Sequence, residues 1–250
     1  MRHFEQEELA RRYSAYRPQV HTQVLQTLGP HMGSGSLALD VACGTGHSTA
    51  PLRGLAEHVV GCDVSEAMLM QARHAYADIT FINAPAETLP LKDAEVDLIT
   101  VGFAFHWFDQ PAFLTEAARV LKHGGKLVIY NFWFPGEMIG HRAFGEWMRA
   151  EYLPRYPTPT RHRLSLTQLL AEGDYALTLV EAHELTAPVS FTAMELRNYL
   201  TTQSNVSAGL ERGEALEVVD AWLDASLASL FQEVSEHFGY DGKVEVLERL

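Results

Sequence analysis

The segment Leu37-Ala-Leu-Asp-Val-Ala-Cys-Gly-Thr-Gly-His47 restricts the possible folds of this chain more than any other. A largely apolar, strand-like run ends at Asp40, and a glycine-containing turn leads into a helix-compatible stretch. A parallel strand ending this way leaves backbone N–H groups and a helix N-terminus at the carboxyl edge of a sheet, facing a ligand. Gly44 and Gly46 lack the Cβ atoms that would block close approach, and Asp40 offers a carboxylate to an ammonium or hydroxyl. The ligand this predicts is of nucleoside type.

Spacing narrows the choice. A dinucleotide fingerprint requires a third glycine, but Thr49 occupies that position. His58 to Ser65 reads as the next strand, ending at Asp63, seventeen residues after Gly46. An acidic side chain at that tip can accept both ribose hydroxyls; the alternative is a helix cap shared with Ser65. Strand-like segments recur at 37–41, 59–62, 79–82, 96–101 and 126–131, most of them separated by helical patterns. Such alternation predicts a parallel sheet with helices on both faces. Gly124-Gly125 supplies the turn into the last of these strands.

Four segments in order, LALDVACGTG, VVGCDVSEAMLMQA, AETLPLKDAEVDLITVGFAFHWFD and EAARVLKHGGKLVIY, resemble the successive motifs of class I S-adenosylmethionine-dependent methyltransferases. The match runs from Leu37 to about Asn131. The upstream ARRYSAYRP and the element His106-Trp-Phe-Asp109 are similar to the small-molecule branch around trans-aconitate methyltransferase-like proteins. The resemblance implies an α/β, Rossmann-like, seven-stranded, mostly parallel sheet with an antiparallel edge hairpin. It also implies S-adenosylmethionine as cofactor and S-adenosylhomocysteine as product. Asp40 would then sit near the methionine amino group, directly or through water, with Ala42, Cys43, Gly44 and Gly46 shaping the methionine end. Asp63 would take the ribose, Val64 and Met68 would line the adenine, and Ala86 would donate its N–H to the ring. The family usually has glycine where Ala42 stands, and often a polar residue where Pro85 stands. Glu87 or a main-chain carbonyl is the substitute acceptor for the adenine amine. Met68 reads equally well as helix core.

Phe103-Ala-Phe-His-Trp-Phe-Asp109 should form the floor where methyl group and acceptor meet, since a sulfonium favours aromatic faces. At least two of Phe103, Phe105 and Phe108 read equally as core. His106 reads as a positioning or structural residue ahead of a general base, because methyl transfer depends chiefly on alignment. Trp107 is expected to pack on the following helix. On a helix, Tyr13 and Arg17 share one face at i and i+4, so Tyr13 could touch the cofactor and Arg17 an acceptor carboxylate; half-buried surface residues are the alternative.

With 250 residues the chain suits one methyltransferase domain. Residues about 30–131 would form the cofactor-binding core, 1–29, 132–177 and 187–240 cap and substrate elements, and 178–186 and 243–250 closing strands. Helical patterns at Glu137–Leu153, Ala193–Thr202 and Glu214–Phe238 supply the cap, while Pro154–Pro159 reads as loop. Leu216, Val219, Leu223, Leu227, Leu230, Val234 and Phe238 recur at steps of three and four, a stripe buried within the chain or against a second copy. A monomer or homodimer follows.

The formal net charge is −13, and from Arg161 onward there are six basic and fifteen acidic residues. Such a surface repels phosphate backbones and anionic lipid, so a small-molecule substrate is expected, with neither nucleic acid nor membrane as partner. No run of eighteen apolar residues occurs, and the charged N-terminus lacks a signal peptide's apolar stretch, so the cytoplasm is the expected location. Two cysteines are expected as reduced thiols. The twelve histidines show no metal-ligand spacing, so no metal is expected. Two other readings remain: a protein that binds S-adenosylmethionine without transferring its methyl group, and an NAD-dependent oxidoreductase.

Overall fold

The computed structural model describes residues 15–29, 32–158 and 165–250. Seven strands, β1 (Leu37–Val41), β2 (His58–Asp63), β3 (Thr80–Asn83), β4 (Val96–Gly102), β5 (Leu121–Trp133), β6 (Leu177–Phe191) and β7 (Glu236–Arg249), form one sheet in the order β3-β2-β1-β4-β5-β7-β6. β7 alone runs antiparallel to its neighbours, so the fold is Rossmann-like with an antiparallel hairpin at one edge, as expected. The order reverses at β1, leaving a crevice beyond the carboxyl ends of β1 and β4.

The period of two along each strand sorts side chains onto the two faces. Leu39, Ile99, Leu127 and Leu247 form one row and pack in one core. Ala38, Leu98, Val128 and Val246 belong to the opposite core. A strand covered on both faces needs apolar residues at consecutive positions, which explains the apolar run Leu37-Ala38-Leu39 in β1.

The helices are α1 (His21–Gln26), α2 (Glu66–Ala75), α3 (Gln110–Val120), α4 (Arg142–Trp147), α5 (Leu166–Glu172), α6 (Ala193–Thr201), α7 (Ser204–Glu211) and α8 (Leu216–Leu227). Ser65 caps α2 by accepting the Met68 N–H, and Asp109 caps α3 by accepting that of Ala112. α4 continues through a π turn at Met148–Tyr152 and a last turn at Leu153–Arg155, so helix persists into the predicted Pro154 loop. Three helices, not two, stand between β6 and β7. Their Leu196, Tyr199, Val206, Val219 and Leu223 join the core on one sheet face and form a helical cap.

Two expectations are corrected here. After the glycine turn the chain makes only a short 3-10 helix, Ala50–Gly54, with Pro51 in its first turn and Gly54 at its end. A single such turn supplies little aligned dipole, so ligand contacts there fall to the loop itself. The late helix stops at Leu227 instead of reaching Phe238. The buried carboxylate of Glu236 accepts the N–H groups of Gln232 (2.9 Å) and Glu233 (3.0 Å), which reverses the chain into β7. Val234 is consequently exposed, and Phe238 is buried as a strand residue against Phe144 and Phe191.

Candidate functional site

Asp40 is fully buried at the heart of the β1 turn. Its carboxylate accepts hydrogen bonds from Ser48 Oγ (2.6 Å), Thr49 Oγ1 (2.7 Å) and Thr100 Oγ1 (2.9 Å). These bonds tie the turn and β4 to β1. Burial pushes its pKa up to about 6, although the three hydroxyls pull the other way. Asp63, at the adjacent tip, accepts Gly44 N–H through Oδ2 at 2.9 Å and Ser65 N–H through Oδ1 at 2.8 Å. Burial raises its pKa as well, against the pull of those bonds.

The turn's two glycines have different reasons to be glycine. At Gly44, with φ +54°, a Cβ would meet no atom within 4 Å, and the residue borders an open cavity. At Gly46, with φ +83°, a Cβ would come within 2.9 Å of the Tyr76 ring. Gly46 therefore serves packing and does not line the cavity, contrary to expectation. Among the described residues four that are not glycine have left-handed backbones: Ala42 (φ 57°) follows β1, Phe103 (φ 58°) follows β4, and Ala94 (φ 53°) and Ala176 (φ 51°) lie in turns elsewhere. Ala42 and Phe103 border the cavity, so two of these four strained positions lie at its rim. Ala42→Gly is expected to stabilise the fold by about 1 kcal/mol, the left-handed penalty outweighing glycine's extra chain entropy. Urea unfolding of the two proteins reads this directly, and a destabilised variant would contradict it.

Two adjoining cavities open at the crevice. The first is bordered by Ala42, Cys43, Gly44, Asp63, Val64, Met68, Ala86 and Glu87. The second, of about 310 Å³, lies under α4, α6 and α7 and is lined by Phe132, Phe134, Tyr152 and Tyr199 among others. Arg17, Phe103, Trp107 and Tyr240 border both. The Phe103 ring meets His21 edge-on at 5.6 Å and Tyr130 at 6.0 Å. His21 Nδ1 is hydrogen-bonded to Tyr130 Oη at 2.7 Å, and burial lowers its pKa to about 4, so the ring is neutral at pH 7. Glycine is required at 102, where a Cβ would lie 2.5 Å from Tyr130 Oη.

A family model described as a methyltransferase domain matches residues 39–129. An uncharacterized methyltransferase of Mycobacterium tuberculosis is 32% identical over 197 residues, covering 77% of this chain and 70% of that protein. The chain belongs to the class I S-adenosylmethionine-dependent methyltransferases. A demethylmenaquinone methyltransferase of Clavibacter sepedonicus is 37% identical over 121 residues, 47% of this chain and 49% of that one. The chain thus spans about half the length of that relative, and the same share of a Renibacterium salmoninarum demethylmenaquinone methyltransferase. Among solved structures, a protein assigned as a type II methyltransferase from Anaeromyxobacter dehalogenans superposes with a TM-score of 0.71 at 24% identity, covering 94% of this chain and 98% of that one. It shares the fold.

Within this methyltransferase, most of the residues singled out from the sequence meet at the first cavity, with four exceptions. Asp40 does not line the cavity; its carboxylate accepts from three hydroxyls and ties the turn to β4. Gly46 faces Tyr76. His106 borders only the second cavity, its ring tilted against Trp107 at 4.9 Å. Tyr13 lies outside the described residues, and Arg17 stands at a bend after the helical Ala15-Tyr16. Pro18 disfavours helix at the residue before it, which ends the shared helical face at that point. Trp107 faces both cavities besides packing on the core.

Several bordering residues carried no local signal in the sequence. His21 meets Tyr130 across 109 positions, and Tyr240 arrives from the last strand. Cys43 and Cys62 are free and buried, and burial pushes the Cys62 thiol up to about 12. Among the described residues, no three His, Cys, Asp or Glu side chains are grouped to hold a metal ion, and no helix is long and apolar enough to cross a membrane.

Proposed function

We propose that this chain moves the methyl group of S-adenosylmethionine to an oxygen, nitrogen or carbon nucleophile of a small molecule. The observation that carries this reading is that two cavities adjoin, with Arg17, Phe103, Trp107 and Tyr240 lining both. One cavity has the walls of a nucleoside site, and the other has room for an acceptor beside it.

The first cavity suits the cofactor. Asp63 would accept the ribose hydroxyls on lone pairs that Gly44 and Ser65 leave open. Val64 and Met68 would flank the adenine, and Ala86 would donate its N–H to the ring. Glu87 spends Oε1 on the Asp109 N–H at 2.9 Å, so its other oxygen is the candidate acceptor that Pro85 cannot be. The space above Gly44, with Ala42 and Cys43 beside it, would take the methionine end.

When bound, S-adenosylmethionine supplies an electrophilic methyl group on a sulfonium. The chain's own contribution is alignment and exclusion of water. The Phe103 ring and the aromatic walls around it favour a cationic sulfur on their faces. His106 and Arg17, on the acceptor side, would orient the nucleophile. Residues 30–131 would act as the cofactor-binding core and the remaining segments as the acceptor-selecting cap, in one domain. A net charge of −13 supports a small-molecule acceptor over nucleic acid.

Incubation with methyl-labelled S-adenosylmethionine and oxygen, nitrogen and carbon acceptors tests this. Label should pass to at least one acceptor class while S-adenosylhomocysteine accumulates. Tight binding of the cofactor with transfer to none would reduce the chain to a binder.

A further inference from the structure

His21 opens α1 and borders the first cavity with one ring nitrogen committed and the other left over. Nδ1 is hydrogen-bonded to Tyr130 Oη at 2.7 Å. The ring also stands edge-on to Phe103 at 5.6 Å and to Tyr130 at 5.8 Å, so its orientation is fixed from two sides. Nε2 makes no hydrogen bond among the described residues. The two nitrogens of an imidazole point apart, so with Nδ1 on Tyr130 the Nε2 edge is turned away from β5. A phenol is the stronger donor of the pair and a neutral imidazole nitrogen the stronger acceptor. Tyr130 is therefore assigned as donor to Nδ1, which puts the ring's own proton on Nε2.

The sheet order fixes which end of a bound cofactor this N–H would meet. Asp63 ends β2, on one side of β1, whereas Phe103 follows β4 and Tyr130 lies in β5, both on the other side. A ribose on Asp63 leaves the His21 side of the cavity to the amino-acid end of S-adenosylmethionine. That end carries an ammonium and a carboxylate. The carboxylates of Asp40 and Asp63 attract the first and repel the second, which favours the cofactor's carboxylate on the far flank. Gln19 and His47 border the cavity too, and Gln19 Nε2 lies 3.3 Å from His47 Nδ1. A charge on His47 opposes protonation of His21, so the two rings share one neighbourhood. Two imidazoles that resist each other's protons suit an anion and not a cation.

We propose that His21 recognises the amino-acid carboxylate of the cofactor, donating its Nε2–H to a carboxylate oxygen while Tyr130 holds the ring. The inference rests on the cofactor reading given above and adds the group that holds the methionine end. Phe103 touches the same imidazole, so a carboxylate anchored at His21 would keep the sulfur beside the Phe103 ring.

Calorimetry on the full chain compares S-adenosylhomocysteine with its decarboxylated analogue, which keeps the adenine, ribose, sulfur and ammonium. The parent is expected to bind S-adenosylhomocysteine about thirtyfold tighter, as a hydrogen bond to a charged group requires. His21→Phe retains a ring against Phe103 and should cut that preference to about threefold, with the analogue's affinity changed by less than about twofold. An unchanged preference in the variant overturns the proposal, and so does an equal loss for both ligands, which is the mark of a structural role. A second measurement on the parent stands even if the variant does not fold. Nitrogen NMR of histidine-labelled protein should find His21 neutral with its proton on Nε2, and that signal should move with S-adenosylhomocysteine and not with the analogue. A proton on Nδ1, or the same displacement with both ligands, contradicts it. If both ligands bind the parent equally well, only this inference fails. If neither binds, the cofactor reading falls instead.

Discussion

Asp63→Ala is expected to raise the dissociation constant for S-adenosylhomocysteine about a hundredfold, because hydrogen bonds from two ribose hydroxyls to a charged carboxylate contribute about 3 kcal/mol. Some of that loss has a second source. The same carboxylate holds Gly44 at 2.9 Å and Ser65 at 2.8 Å, so its removal also loosens the loop that faces the ligand. The ligand-free melting temperature separates the two effects, since it registers the loop and not the ribose. A dissociation constant within about threefold of the parent would remove Asp63 from the binding site, as a change that small is worth less than one such hydrogen bond.

Asp40→Ala acts on stability instead. It leaves Ser48, Thr49 and Thr100 hydroxyls without their shared acceptor in a buried site. Those three orphans cost about 5 kcal/mol together, and deleting a carboxylate that is hard to ionise there offsets about 3. The net loss at pH 7.5 is about 2 kcal/mol, or about 6 °C in melting temperature for a chain of this size.

The pH dependence follows from the sign of the shift. Asp40 titrates near 6 when folded, against 3.8 ordinarily, so between those values the folded chain holds a proton that the unfolded chain releases. The stability this group contributes is full below about pH 4 and is lost as pH rises through 6, amounting to about 3 kcal/mol. Asp40→Ala should therefore cost about 1 kcal/mol more at pH 5 than at pH 7.5, read by urea unfolding at both values. Equal losses at the two pH values would show that the carboxylate is not held as described.

The contrast between Asp40 and Asp63 shows what could be read from the chain and what could not. Both sit at strand tips after apolar runs, and that pattern located β1 and β2 and the crevice beyond them. The pattern does not say which way each carboxylate turns. Asp40 turns inward because Ser48, Thr49 and Thr100 converge on it, the last from sixty residues away. Gly44 and Gly46 differ for a similar reason, since the Tyr76 ring beside Gly46 is placed by α2 and not by the turn.

The edge of the sheet was hardest to read. β6 is mostly exposed along its fifteen residues and carries Glu181, His183 and Glu184, so hydropathy alternates weakly there. The periodic spacing of Val234 and Phe238 continued that of α8, yet Glu236 reverses the chain between them. His21, Gln203 and Tyr240 belong to the cavities only through tertiary folding, and no local pattern marks them.

A crystal structure with S-adenosylhomocysteine bound examines the assignment at its root. The ribose hydroxyls should lie on the Asp63 carboxylate, the homocysteine end over Gly44, and the sulfur beside Phe103 where the two cavities meet. A ribose placed away from Asp63, or a sulfur pointing away from the second cavity, would contradict it.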